Sequence, residues 1–284
     1  MRSVLAGTIC MEDSLSKKLF IVSTPIGNLS DVSTRFFEVL KTESLFFAED
    51  TRNLIKLMNL LEIDIQGKEV RPFHEHNQEN INKELDLLEA KGSGVLVSDA
   101  GSPLLSDPGY PLVRGWIERG GALESIPGPS SITVALEVSG LPPMPFMFHG
   151  FLPRKAEAIR NFIIECLPEV THLVFESPNR IIKTLDTFAE VIPDAQMSLV
   201  RELTKFHETH YRGSPQEILD VIGKDGVKGE IVLLFRHNHD FKKVSGLEEL
   251  AASYLSKPGP KALAKLIGEI TGEKTKKIYD ILNK

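Results

Sequence analysis

The alternation of short apolar runs with amphipathic stretches restricts this chain to a small set of folds. Strand candidates at Leu19–Ser23, Leu45–Ala48, Val70–Phe73, Gly94–Ser98 and Leu123–Ile126 are four or five residues long, the length of a strand rather than of a helix. Between them, Ser33–Leu40, Arg52–Leu61, Asn77–Ala90 and Gly109–Glu118 place apolar residues three and four apart, which predicts helices. Strands that are apolar without interruption are buried on both faces. The pattern therefore predicts a mainly parallel sheet covered by helices on each side.

Ser139-Gly140-Leu141-Pro142-Pro143-Met144-Pro145 is dense in chain breakers and predicts a boundary. Beyond it, Phe146–His149, His172–Phe175, Gln196–Val200 and Glu230–Phe235 read as strands, with helices near Ala156–Cys166, Ile181–Val191 and Pro215–Ile222. The fold class is α/β, with an N-terminal extension over 1–17, an α/β domain over 18–143, a second, smaller α/β domain over 144–240 and a basic helical tail over 241–284. A length of 284 residues agrees with two domains. In the tail, Lys257-Pro258-Gly259-Pro260 precedes two helical stretches, Lys261–Ile270 and Lys274–Leu282, separated by Thr271-Gly272.

Charge is unevenly spread. Ser256–Lys284 carries seven lysines against Glu269, Glu273 and Asp280, so the formal charge of −6 is a +4 tail on a −10 body. The total offers no global basic field for nucleic acid, but a local patch suffices. Two cysteines, Cys10 and Cys166, cannot form a disulfide scaffold and point to a reducing compartment. No apolar run approaches the roughly 20 residues of a membrane span. Met1–Cys10 reads as an extension ahead of Met11 rather than a signal peptide, because Glu12 and Asp13 follow at once. A cytoplasmic protein is expected.

In open parallel sheets ligands bind beyond the carboxyl ends of the strands. Here those ends run into Ser23-Thr24-Pro25-Ile26-Gly27-Asn28-Leu29, Glu49-Asp50-Thr51-Arg52, His74-Glu75-His76-Asn77, Asp99-Ala100-Gly101-Ser102-Pro103 and Pro127-Gly128-Pro129-Ser130-Ser131. One such loop is ordinary turn chemistry. Five along one edge would present amides, hydroxyls and carboxylates to a polar cofactor. Gly27 stands alone, so there is no dinucleotide fingerprint, and neither a phosphate loop nor a G-x-S-x-G elbow occurs. His74 and His76 lack a third ligand nearby, and His207-Glu208-Thr209-His210 is one residue short of a zincin helix, so no metal site is read. Arg154, Lys155, Arg180, Arg201, Lys205 and Arg212 cluster at the loops of the second half and point to an anionic substrate.

These loops, with Ser106-Asp107-Pro108-Gly109-Tyr110, Gly150-Phe151-Leu152-Pro153-Arg154-Lys155, Glu176-Ser177-Pro178 and Arg201-Glu202-Leu203-Thr204-Lys205, resemble in order the tetrapyrrole methylase superfamily. The likeness is to its branch of bacterial small-subunit rRNA ribose methyltransferases and runs from about Lys18 to the C-terminus. Ser102 stands where that branch usually has Thr, and Asn179 where it usually has His. The resemblance implies an S-adenosylmethionine-dependent enzyme that methylates the 2′-hydroxyl of a cytidine in the decoding region of 16S rRNA within the small ribosomal subunit. It also implies a homodimer of two-domain subunits with the cofactor in the interdomain cleft. By position it places cofactor contacts at Pro25, in the Asp99–Leu105 loop with Gly101 and Ser102, and at Ser130 and Ser131. In the second half it places them at Phe175, Val200 or Arg201, and near Glu230.

A ribose hydroxyl is a poor nucleophile until a base or oriented acceptor takes its proton. Glu49, Asp50 and Glu202 are the carboxylates suited to that role, with His74 as a further candidate. Arg52 and Lys205 are candidates for the adjacent phosphates, and Arg154 and Lys155 for RNA contact. Glu202 beside Arg201 and Lys205 reads equally as a structural ion pair. Two other functions remain open: a small-molecule methylase acting on a tetrapyrrole, and a non-enzymatic RNA-binding or ribosome-assembly module. Basic loops and tail favour RNA over the first; intact loop chemistry weighs against the second.

Overall fold

The computed structural model describes residues 17–73, 81–106, 108–224, 226–239, 260–271 and 274–282. Met1–Cys10, His74, Asp107 and the Lys257-Pro258-Gly259 break lie outside them. The chain separates into two compact units, one from Met1–Ile163 with Glu169–His237, the other from Ile164–Pro168 with Asn238–Lys284.

The first unit opens with β1 (Lys18–Val22), α1 (Thr34–Thr42), β2 (Leu45–Ala48), α2 (Thr51–Leu60), β3 (Glu69–Pro72), α3 (Ile81–Lys91), β4 (Ser93–Val97), α4 (Tyr110–Glu118), β5 (Ala122–Ile126) and α5 (Ser131–Ser139). The five strands form one parallel sheet in the order β3-β2-β4-β1-β5. Side chains alternate across it as strand geometry requires. Val22, Phe46, Ala48, Val95 and Val97 meet α1 and α2 on one face. Leu19, Leu45, Phe47 and Leu96 meet α3 and α4 on the other. The helices start where the sequence supplies caps: the Ser33 hydroxyl accepts from the Phe36 amide and the Asp50 carboxylate from the Arg52 amide. Trp116 of α4 is sealed on the second face and donates to the Ala122 carbonyl at 3.0 Å.

A second sheet follows: β6 (Phe146–Phe151), α6 (Ala156–Glu165), β7 (Thr171–Glu176), α7 (Ile181–Val191), β8 (Gln196–Arg201), β9 (Thr209–Gly213), α8 (Pro215–Ile222) and β10 (Ile231–Arg236). Its order is β6-β7-β10-β8-β9, with β6 and β7 parallel and every other pair antiparallel. Two elements have no counterpart in the sequence pattern. β9 reads Thr-His-Tyr-Arg-Gly and carries no apolar run, because it is an edge strand. Helix α5 is apolar on several sides because Ile132, Ala135 and Leu136 pack with Leu173, Val200, Val232 and Leu234 of the second sheet. Only Thr133 and Glu137 are exposed along it, so an apolar face widened by Val134 and Val138 leaves a weak amphipathic contrast.

The second unit holds α9 (Pro260–Thr271) and α10 (Thr275–Leu282), which pack on each other with Ala264 and Ile278 buried. Among the described residues no helix is long and apolar enough to cross a membrane.

Candidate active site

Topology decides where a ligand can enter the first sheet. The helices that leave β1 and β2 lie on one face and the helix that leaves β4 on the other. The chain diverges there, which opens a crevice at the carboxyl ends of these strands. The loop after β4 is fastened across it: Thr24 and Gly101 exchange backbone hydrogen bonds of 2.9 and 3.1 Å. Gly101 sits at φ 80°, a left-handed conformation that glycine adopts without strain. The Asp99 carboxylate accepts from the Asp50 amide at 3.1 Å and from Asn53 Nδ2 at 2.7 Å, which ties the β4 loop to the start of α2.

Above this crevice the ends of β7 and β8 and the beginning of β10 bound a cavity of about 490 Å³. Of the residues expected at a cofactor, Asp99, Gly101, Ser102, Leu105, Ser130, Ser131, Phe175, Val200 and Glu230 line it. Pro25 is buried, and its neighbour Ile26 lines the wall instead. Arg201 is not in the wall either, and its Nε donates to the Lys228 carbonyl at 3.0 Å. Ser130 precedes α5 without making a side-chain cap, so the helix begins at the cavity with its first amides uncapped by that hydroxyl.

The candidate catalytic and RNA-binding groups separate. Glu49 lines the cavity. Asp50 does not; it caps α2 and pairs with the Arg52 guanidinium, whose hydrogen bonds hold its carboxyl near 2. Arg52 is thereby engaged while its side chain stays exposed. Glu202 is a clasp: Oε1 accepts from the Glu230 amide at 2.9 Å and from Lys205 Nζ at 3.1 Å. Lys205 is also bound by Glu230 Oε2 at 2.8 Å, so both of its acidic neighbours occupy it. Arg154 and Lys155 are exposed and have no ion-pair partner among the described residues.

The Leu203 segment that forms part of the wall is unusual in its backbone. Glu202 and Thr204, flanking Leu203, have φ of 52° and 62°, conformations that cost a non-glycine residue about 1–3 kcal/mol and persist only when the surroundings impose them. The surroundings here are identifiable: Glu208 Oε2 accepts from the Thr204 amide at 2.6 Å, and Thr204 Oγ1 accepts from the Asn28 amide at 3.0 Å. The Glu230 amide, and after it Lys205 and Arg201, hold the Glu202 carboxyl below its ordinary value of 4.5, against partial burial. A depressed carboxyl stabilises the fold above its ordinary value and loses that contribution as pH falls through it. Thermal stability is therefore expected to fall below about pH 4.5. In Glu202→Gln the midpoint at neutral pH drops and the acid slope flattens; an unchanged slope removes the clasp from the account.

Sequence reasoning passed over several wall residues. Glu176 is buried, and its carboxylate is satisfied by the Ser177 amide, Thr184 Oγ1 and the Arg180 guanidinium. Its Glu-Ser-Pro run at a strand end was the available signal. Gly229, Ile231 and Val232 enter from the beginning of β10. That strand runs against β7 and β8, so its start shares an edge with their ends, which a rule about strand ends does not reach. His74 falls outside the described residues. Cys166 is buried, as expected of a core residue, and burial pushes its thiol up to about 12.

The family described as Tetrapyrrole (Corrin/Porphyrin) Methylases matches residues 18–219. A protein of Halalkalibacterium halodurans named ribosomal RNA small subunit methyltransferase I is 43% identical over 78% of this chain and 76% of its own. One of the same name from Mycobacterium tuberculosis is 36% identical over 93% of this chain and 94% of its own. Among solved structures, diphthine synthase superposes with a TM-score of 0.57 at 13% identity, over 79% of this chain and 92% of that one, which is a likeness of fold.

Proposed function

The chain belongs to the tetrapyrrole methylase family and is a methyltransferase, and on that premise we propose that it methylates the 2′-hydroxyl of a cytidine in the decoding region of 16S rRNA, with S-adenosylmethionine as donor. The observation that carries this reading is the composition of the 490 Å³ cavity. Carboxylates and hydroxyls from Glu49, Asp99, Ser102 and Ser130 share its lining with apolar side chains of Ile26, Val200, Leu203 and Val232. A donor with an ammonium, a sulfonium, a carboxylate and a nucleobase needs both kinds of surface, so the residues present fit it.

S-adenosylmethionine supplies a methyl group on a good sulfonium leaving group. The protein's work is then largely orientation, worth about 7–11 kcal/mol in favourable cases. Asp99, fixed by Asp50 and Asn53, accepts from cationic donors without moving. Amides and hydroxyls at the start of α5 receive anionic or polar groups. Glu49 takes the proton of the ribose hydroxyl, in preference to Asp50 and Glu202, because of the three it alone lines the cavity. Arg154, Lys155 and the lysine-rich tail contact phosphates. The enzyme acts as a homodimer in the cytoplasm, which sedimentation and fractionation would test.

The decisive experiment supplies labelled S-adenosylmethionine with three acceptors: small subunits lacking the modification, naked rRNA and a tetrapyrrole precursor. Label in a 2′-O-methylcytidine supports the proposal. Label only in the macrocycle replaces it with small-molecule methylation, and no label leaves a ribosome-assembly role. For the tail, removal of Ser256–Lys284 is expected to weaken rRNA binding and to reduce the slope of log K against log salt by about 0.7–0.9 for each phosphate that the tail neutralises. An unchanged slope in filter binding removes the tail from the interface.

A further inference from the structure

We infer that Phe151 is a stacking platform for the nucleobase of the nucleotide being methylated, set in place by a bulge in β6. The inference rests on the RNA reading above and goes beyond it by naming a positioning contact to the base. In β6, Phe148 pairs with Leu173 and Phe151 with Phe175, so three steps along β6 match two along β7. The extra residue lies at His149-Gly150, and Gly150 takes φ 70°. Without it, strict alternation would turn Phe151 away from the face that carries Phe148. With it, both rings pack edge-on against Phe175, at centroid distances of 4.9 and 5.3 Å. A bulge that re-aims one side chain beside a binding site is a common use of the device.

What it re-aims is a phenyl ring held in the cavity wall yet 67% exposed. Most other large apolar wall residues, Ile26, Ile132, Val200, Leu203 and Val232, are buried and suit an enclosed cofactor. Phe175 is half-buried, and Leu105, 45% exposed, is the other exposed one. The end of β6 lies beside the loop that carries Leu105, since a Cβ on Gly150 would stand 3.5 Å from Ser106 Oγ. An exposed aromatic ring and an exposed aliphatic side chain at the rim offer a slot to a planar group arriving from solvent. The exposed cations Arg154 and Lys155 follow Phe151 by three and four residues. An aromatic face flanked by phosphate-binding cations is the arrangement that receives an unstacked base of single-stranded nucleic acid.

The test uses full-length Phe151→Ala, Phe151→Leu and Phe151→Trp enzymes with unmodified small subunits, and calorimetric titration with S-adenosylmethionine. Because Phe151 is mostly exposed, the variants are expected to unfold at the wild-type temperature. Phe151→Ala should lower kcat/KM on subunits roughly 10- to 100-fold with cofactor affinity within twofold. Phe151→Trp should restore most of the loss and Phe151→Leu should not, since stacking needs a π face. A tenfold loss of cofactor affinity in Phe151→Ala, or full activity of Phe151→Leu, overturns the assignment. So does an unchanged kcat/KM in Phe151→Ala while the wild type is active on RNA. A wild type that methylates no RNA overturns the parent reading and this one together, so the two failures are told apart by the wild-type control.

Discussion

Glu49→Gln is expected to lose turnover by about 10²–10⁴-fold, the range for removal of a general base, while S-adenosylmethionine binds within twofold of wild type. Glutamine keeps the shape and can still accept a hydrogen bond through its carbonyl, but it cannot take up a proton. The prediction is specific because neither of the other two carboxylates lines the cavity. Asp50→Asn should loosen the start of α2, where its side chain meets the Arg52 amide and guanidinium, and with it the amide that Asp99 uses. Its signature is weaker cofactor binding. Glu202→Gln should show itself in stability, through the lost bond to Lys205. Single-turnover rates at saturating cofactor separate chemistry from binding. Retained single-turnover chemistry in Glu49→Gln would remove Glu49 as the base, and loss in His74→Ala would transfer the role.

Gly27→Ala is the second large effect. A Cβ at residue 27 would stand 2.6 Å from Lys205 Cγ, 2.6 Å from Thr204 Oγ1 and 2.8 Å from the Leu203 carbonyl oxygen. Lysine can swing aside, but a backbone carbonyl cannot without moving the Leu203 wall. Retreat of that loop also stretches the Asn28 amide to Thr204 Oγ1 bond. Overpacking of this kind costs about 1–3 kcal/mol. Because the displaced segment forms the cavity, cofactor affinity should fall at least about tenfold, which corresponds to about 1.4 kcal/mol. Calorimetric titration and thermal unfolding measure the two effects. Wild-type values in both would mean the loop accommodates a methyl group and that the close approach has no functional weight.

The first sheet was readable from sequence because its central strands β1, β2 and β4 are short apolar runs, alternating with helices whose starts carry recognisable caps, Ser33 and Asp50 among them. The second sheet was readable only where the same signals recur. Edge strand β9 carries no apolar run, and the helical period of α5 is weak because Val134 and Val138 widen its apolar face. At the site, Asp99 and the serines stand in strand-end loops, where sequence position alone suggests ligand contact. The Glu202 clasp joins residues 28 apart, and the Gly27 contact joins residues 176 to 178 apart in the chain. Pairings of that range follow from packing, so the loop sequences could name the residues but not whether their carboxylates were engaged.

The position of β10 sets an order of events during synthesis. The first sheet is complete once residue 126 is available, and its strands pair without help from later sequence. The second sheet has its final strand at the centre, between β7 and β8, so it cannot close before residue 236 has emerged. For about 60 residues of translation after β7, and about 35 after β8, each strand lacks a neighbour that the finished protein gives it, an exposed-edge state of the kind that favours misassembly. Gly229–Val232, part of the cavity wall, arrive with that same last strand. Ligand capture is thus the last structural event of the first unit, and the nascent chain cannot draw on bound cofactor for stability while it waits.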